Sequence, residues 1–155
     1  MSLCLLSCLT GRFWSTRTLS RTCTRRKCAI CSCLSYQNFR IHVSVLSVQE
    51  FLSYIYYKLH DYSLLERAAE VLYKLYVVEN IDRETALRAA MIAADLVKRN
   101  QDFNLVDVFN AAIAVLRNIP ILTDDPSRYS GYARYGVTAI SVEDFIEEFK
   151  ATIKA

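Results

Sequence analysis

Residues 119–126 read IPILTDDP, an apolar run that ends in an acidic turn. A short run of apolar and β-branched residues is typical of a buried strand, and Asp-Asp-Pro is a turn signal. The pattern predicts a strand at 119–123 that is followed directly by two carboxylates, Asp124 and Asp125.

Helical and strand patterns alternate on both sides of this run. Asn104 is placed to cap a helix at 105–116, and Asp82 to cap one that reaches about residue 99. The other predicted elements are strands at 41–46, 76–78 and 137–140, and helices after Ser47, at 63–75 and after Ser141. This alternation predicts right-handed crossovers, and therefore a three-layer α/β/α fold with a central parallel sheet over residues 41–155.

The first forty residues differ in composition from the rest. They contain seven of the 19 Lys and Arg residues, all six cysteines and no acid, and the first acid of the chain is Glu50. Four explanations stay open: an organellar presequence, a zinc site, a disulfide framework, or translation of a shifted reading frame. The zinc site would use Cys23, Cys28, Cys31 and Cys33. We interpret residues 1–40 as a basic Cys/Arg/Ser-rich segment that is disordered or frame-shifted.

Several acids follow predicted strands. Glu50 comes soon after the strand at 41–46, Asp107 opens the helix after Asn104, and Asp124 and Asp125 follow the strand at 119–123. Ligands of parallel sheets bind beyond the carboxyl ends of the strands, so these acids are expected at one cleft. Carboxylates that converge need a cation, and oxygen ligands favour Mg²⁺ or Mn²⁺, which suits metal-assisted phosphodiester hydrolysis.

Each acid also has a local structural explanation. Glu50 completes a capping box with Ser47, Asp107 favours the N-terminus of its helix, and Asp124 and Asp125 are ordinary turn formers.

Four segments carry a family resemblance. They are VSVLSVQEFL at 43–52, NLVDVFNAAIA at 104–114, IPILTDDPSRY at 119–129 and VTAIS at 137–141. Residues 41–146 resemble the PIN-domain family, small α/β ribonucleases that include the toxins of many prokaryotic toxin–antitoxin pairs. The resemblance implies that Glu50, Asp107 and Asp125 are catalytic acids and metal ligands, with Asp124 as the alternative to Asp125.

The chain departs from this family at one point. The family begins with a hydrophobic strand that ends in Asp, the principal metal ligand, and this chain has no acid before Glu50. The central strand is therefore expected to be absent or replaced. The resemblance implies a Mg²⁺- or Mn²⁺-dependent endoribonuclease that is defective as the sequence stands. The alternatives are a non-catalytic RNA- or protein-binding module and an N-terminal zinc-binding basic protein.

Partner expectations are less specific. Arg128 and Arg134, which lie among tyrosines, are candidates for RNA contacts. The tyrosines at 54, 56, 57, 73 and 76 are expected in the core or at a dimer surface, or in a groove for an antitoxin helix. His42 and His60 are assigned no role. We expect a homodimer in the cytoplasm and no membrane segment, because no apolar run approaches roughly 20 residues.

Overall fold

The computed structural model describes the backbone of residues 2–6 and all of residues 40–147. Within these ranges, five strands form one parallel sheet in the order β3-β2-β1-β4-β5. The strands are β1 (Ser2–Leu6), β2 (Arg40–Ser44), β3 (Val77–Glu79), β4 (Ile121–Thr123) and β5 (Ala139–Ser141). The helices are α1 (Val45–Leu59), α2 (Tyr62–Leu75), α3 (Arg83–Lys98) and α4 (Leu105–Arg117). A 3-10 segment, Pro126–Tyr135, follows β4, and residues 142–147 are helical.

The centre of the sheet is occupied by β1. Its Leu5 lies opposite His42 of β2, and its Leu6 lies opposite Leu122 of β4. The possibility that the central strand is absent is therefore wrong, since residues 2–6 supply it. Strand pairing uses backbone N–H and C=O groups, so these five residues form the strand although the acid expected after it is missing. Residue 7, which follows, is Ser.

The rest of the basic segment, residues 7–39, lies outside the described residues, as do the four cysteines proposed for zinc. Its interpretation as disordered or frame-shifted, and the domain boundary near residue 40, stay predictions.

Helices cover both faces of the sheet, as strand β2 shows. Val43 packs against Val48 of α1 and Leu72 of α2. The next residue, Ser44, bonds instead to Asn110 of α4. Because successive side chains of a strand point to opposite faces, α1 and α2 lie on one face and α4 on the other. The predicted three-layer α/β/α arrangement is confirmed.

The larger core lies on the α3/α4 face. Ile92 and Leu96 of α3 pack with the alanines of both helices and with Ile121 of β4. The next residue of β4, Leu122, packs on the opposite face with Ile41 and Phe145. The small alanine side chains let α3 and α4 approach each other closely.

Several predicted helix starts are confirmed, but one is wrong. Asp82 and Asn104 cap α3 and α4 as expected, through bonds from backbone N–H groups to their side-chain oxygens. Helix α1, however, begins at Val45 and is capped by Ser44, whose Oγ accepts the Ser47 N–H. The predicted capping box of Ser47 and Glu50 does not form, because β2 ends two residues earlier than expected and Ser44 takes the cap position.

The strand limits also differ slightly from the predictions. The strand expected at 119–123 begins at residue 121, and the strand expected at 137–140 lies at 139–141. Pro120 has no N–H to donate to a neighbouring strand, which shortens β4 at its start.

Glu79, at the end of β3, joins three elements through long-range contacts. Its Oε1 lies 2.7 Å from Nδ1 of His42 in β2. Its Oε2 accepts bonds from Nε and Nη2 of Arg117 in α4, at 3.2 and 2.9 Å. His42 therefore has a partner, which its sequence spacing did not reveal. None of the described helices is both long and apolar enough to cross a bilayer.

Replacing Glu79 by alanine tests this three-way contact. The Glu79 side chain is 11% exposed, whereas that of Arg117 is 50% exposed. Breaking this ion pair therefore lowers the free energy of unfolding by less than breaking a fully buried pair. We expect Glu79→Ala to lower the free energy of unfolding by about 2 kcal/mol in urea titrations.

The control is Glu70→Ala, which removes an exposed pair with Lys74. This change is expected to cost less than about 0.5 kcal/mol. Equal costs for the two variants would contradict a structural role for the Glu79 contacts.

Candidate active site

Asp107 lies in the first turn of α4 and is almost completely buried. Asn104 holds the start of this helix by accepting the Val106 N–H at 2.8 Å. The position of Asp107 follows from the parallel sheet, because α4 runs back across the sheet from its carboxyl edge. The helix N-terminus favours the charged form of the carboxylate there.

Both oxygens of Asp107 accept hydrogen bonds from the 3-10 segment. Nε of Arg128 donates to Oδ2 at 2.8 Å, and the hydroxyl of Tyr129 donates to Oδ1 at 3.0 Å. The Arg128 side chain is 20% exposed and that of Asp107 only 5%. The expected acid is thus present at the edge of the sheet, with an arginine of its own chain beside it.

Glu50 of α1 lies close to this pair. Burial raises the pKa of its carboxyl group, the positive charge of Arg128 lowers that pKa, and the negative charge of Asp107 raises it. Its Oε2 is buried and has no hydrogen-bond partner among the described residues. Glu50 therefore lies within electrostatic range of Asp107, and the assignment of both as metal ligands stays a prediction.

Asp124 and Asp125 follow β4 and are exposed. Asp125 is held in its turn, because its backbone N–H donates to Oγ1 of Thr123 and its Oδ1 accepts a bond from the Ser127 hydroxyl. That hydroxyl lowers the pKa of Asp125. The assignment of Asp125 or Asp124 as the further metal ligand stays a prediction.

The side chains as they stand fit a divalent cation poorly. Both oxygens of Asp107 accept bonds from protein donors. Across residues 40–147, no three His, Cys, Asp or Glu side chains form a group that could hold a metal ion. Mg²⁺ is usually held by one or two carboxylates with water completing its octahedron, but here Arg128 and Tyr129 already donate to both oxygens of Asp107.

A buried polar network lies between the helices that carry Glu50 and Asp107, the two residues called the acidic pair below. The hydroxyl of Ser44 donates to Oδ1 of Asn110 at 2.7 Å and lies 3.0 Å from the hydroxyl of Ser47. All three side chains are fully buried. The network joins the start of α1, which carries Glu50, to α4, which carries Asp107. The sequence signal for this network is an asparagine, Asn110, within the apolar run of α4.

Arg134, the second arginine predicted to bind RNA, has different neighbours. Its Nε lies 3.8 Å from Oδ2 of Asp95 in α3. The same oxygen accepts bonds from Arg99 and from the Tyr135 hydroxyl. The 3-10 segment therefore contacts α4 through Arg128 and α3 through Arg134 and Tyr135.

Tyr132 lies between these two contacts and belongs to the core. Its ring packs on that of Tyr129 at 5.6 Å between centroids, and burial raises its pKa to about 12. Tyr129 and Tyr132 therefore fix the segment to the core.

The other tyrosines divide between core and surface. Tyr76 packs in the core, whereas Tyr57 and Tyr73 are mostly exposed. An open apolar groove of about 310 Å³ lies between α1 and α2, and Val48, Leu52, Tyr56, Leu65 and Tyr73 are among the residues that line it.

Comparisons with known proteins agree on a family. The PIN domain family matches residues 30–133. A VapC ribonuclease of Pyrococcus furiosus is 26% identical over 121 residues, which cover 78% of this chain and 79% of the relative.

Solved structures share the fold at low sequence identity. VapBC-1 from nontypeable Haemophilus influenzae superposes with a TM-score of 0.68 and 16% identity, covering 92% of this chain and 99% of that one. DNA-bound VapBC from Salmonella typhimurium gives a TM-score of 0.61 and 16% identity, with the same coverage.

The contacts of Asp95 predict a dependence of stability on acidity. The bonds from Arg99 and Tyr135 lower its pKa from 3.8 to about 2. A carboxyl group whose pKa is depressed by folding stabilises the protein above its unfolded pKa, and this stabilisation is lost as the pH falls through the folded pKa. We expect the Tm difference between the parent chain and Asp95→Asn to shrink between about pH 4 and pH 2.

Asp144→Asn, at an exposed aspartate, serves as the control. A Tm difference for Asp95→Asn that stays constant over this range would contradict the prediction.

Proposed function

The chain belongs to the PIN domain family, and we propose that it is an endoribonuclease of the PIN type whose set of acids is incomplete. The observation that carries the proposal is the buried Asp107 at the start of α4, with Glu50 of α1 within electrostatic range of it. Its Pyrococcus furiosus relative is a VapC ribonuclease. The resemblance to PIN-type nucleases implies a divalent metal, and we propose Mg²⁺ or Mn²⁺ as a weakly held cofactor.

The incomplete acid set explains the proposed weakness of this chain. The residue after β1 is Ser7, so no acid follows the central strand. A site that lacks one carboxylate holds a divalent cation less tightly, since the lost ligand leaves a coordination position to water. We therefore expect weak metal binding and little cleavage of RNA.

Arginines of the 3-10 segment are the proposed contacts for the RNA backbone. The Arg134 side chain is 45% exposed and can reach a phosphate. Arg128 faces the acidic pair and is less accessible. Guanidinium groups suit phosphate because they donate two parallel hydrogen bonds.

A protein partner is also proposed. The solved structures with this fold include VapBC complexes, and the groove between α1 and α2 offers an apolar surface for a partner helix. We propose an antitoxin as that partner and a homodimer as the assembly of this chain.

Metal titration and RNA cleavage test the enzymatic proposal. We expect Mn²⁺ to bind the chain with a millimolar dissociation constant in calorimetry. We also expect slow cleavage of end-labelled RNA at high Mn²⁺ concentration, reduced to background by Asp107→Asn. Asp102→Asn, at an exposed aspartate, is the control and keeps the slow cleavage.

Two outcomes would contradict this proposal. Tight, stoichiometric Mn²⁺ binding would show that the acid set is complete without an acid after β1. RNA binding with no cleavage at any Mn²⁺ concentration would favour a non-catalytic module.

A further inference from the structure

The acidic pair of this chain already has a cation beside it. Arg128 contributes one positive charge next to the two carboxylates, and its Nε lies 2.8 Å from Oδ2 of Asp107. Its charge also acts on Glu50 and lowers the pKa of that carboxyl group. A buried carboxylate needs a compensating charge, and here the protein supplies it.

The geometry favours the arginine over a small hydrated ion. Tyr129, the next residue, donates to the other oxygen of Asp107, so two consecutive residues engage both oxygens. Tyr129 is buried and fixed against Tyr132, which holds the segment in place. A guanidinium group is more weakly hydrated than a compact cation, whereas Mg²⁺ gives up its water reluctantly.

We propose that Arg128 takes the place of a divalent cation at the Glu50–Asp107 pair, so that metal binding requires its displacement. Arg128 is thus an internal competitor of the metal, and the low metal affinity has two causes, a missing acid and a resident guanidinium. This inference rests on the proposed function for its biological meaning, but metal binding is measured without RNA.

Removing the positive charge of Arg128 tests the inference. A positive charge beside a carboxylate lowers the affinity of that carboxylate for a proton by about ten- to a thousandfold. The positive charge of Arg128 repels a metal ion in the same way. We expect Arg128→Gln to raise the affinity for Mn²⁺, measured by electron paramagnetic resonance with MnCl₂ alone, by at least about tenfold.

The matched control is Arg99→Gln. Arg99 donates from Nε to Oδ2 of Asp95 at 2.8 Å, the same contact that Arg128 makes with Asp107. Its removal is expected to leave Mn²⁺ affinity unchanged. An Arg128→Gln variant with unchanged or weaker Mn²⁺ affinity, or an equal gain in both variants, would overturn the inference.

A measurement on the unaltered chain covers the case in which Arg128→Gln fails to fold. In nitrogen-15 spectra without metal, the Nε–H of Arg128 is expected to exchange with solvent more slowly than that of the more exposed Arg134. Addition of Mg²⁺ to high concentration should speed this exchange. Fast exchange without metal, or slow exchange that persists when Mg²⁺ is bound, would overturn the inference.

The two proposals fail in different ways. If Arg128→Gln gains Mn²⁺ affinity but no variant cleaves RNA, the cation assignment, by which Arg128 takes the place of a metal ion, stands and the ribonuclease proposal fails. If the parent chain cleaves RNA with Mn²⁺ but Arg128→Gln gains no affinity, the ribonuclease proposal stands and the cation assignment fails.

Discussion

Parallel pairing of the strands constrains everything else in this molecule. Each connection must return across the sheet, so the strands all end at one edge and helices cover both faces. The helices that begin at this edge, α1 and α4, carry Glu50 and Asp107. The bond between Ser44 and Asn110 then fixes these two helix starts relative to each other. The acidic pair is therefore a consequence of chain topology, refined by one buried polar contact.

Local chemistry made much of the fold predictable. Asp82 and Asn104 cap the helices expected of them, because a cap depends only on the next two or three residues. The start of α1 was mispredicted because two serines, Ser44 and Ser47, are both plausible caps. Tertiary packing of β2 decides between them. The sequence does not reveal the central strand, because no acid follows residues 2–6. Strand pairing depends on the backbone, so β1 still pairs with β2 and β4.

The candidate site was only half predictable. The sequence indicates one edge for Glu50 and Asp107 because each lies near the start of a helix that leads back across the same sheet. It did not show that Arg128 would pair with Asp107, 21 residues away, instead of facing solvent or RNA. The contacts of Glu79 with His42 and Arg117 span 37 and 38 residues and were missed for the same reason. Such pairs depend on the packing of distant elements, which no local pattern encodes.

The 3-10 segment contacts two helices, at Asp107 of α4 and at Asp95 of α3. The two helices also pack against each other through small side chains, so the segment and the two helices contact one another pairwise. A substitution at Asp95 would consequently act on the Arg128–Asp107 contact through the 3-10 segment, although neither Arg128 nor Asp107 is changed.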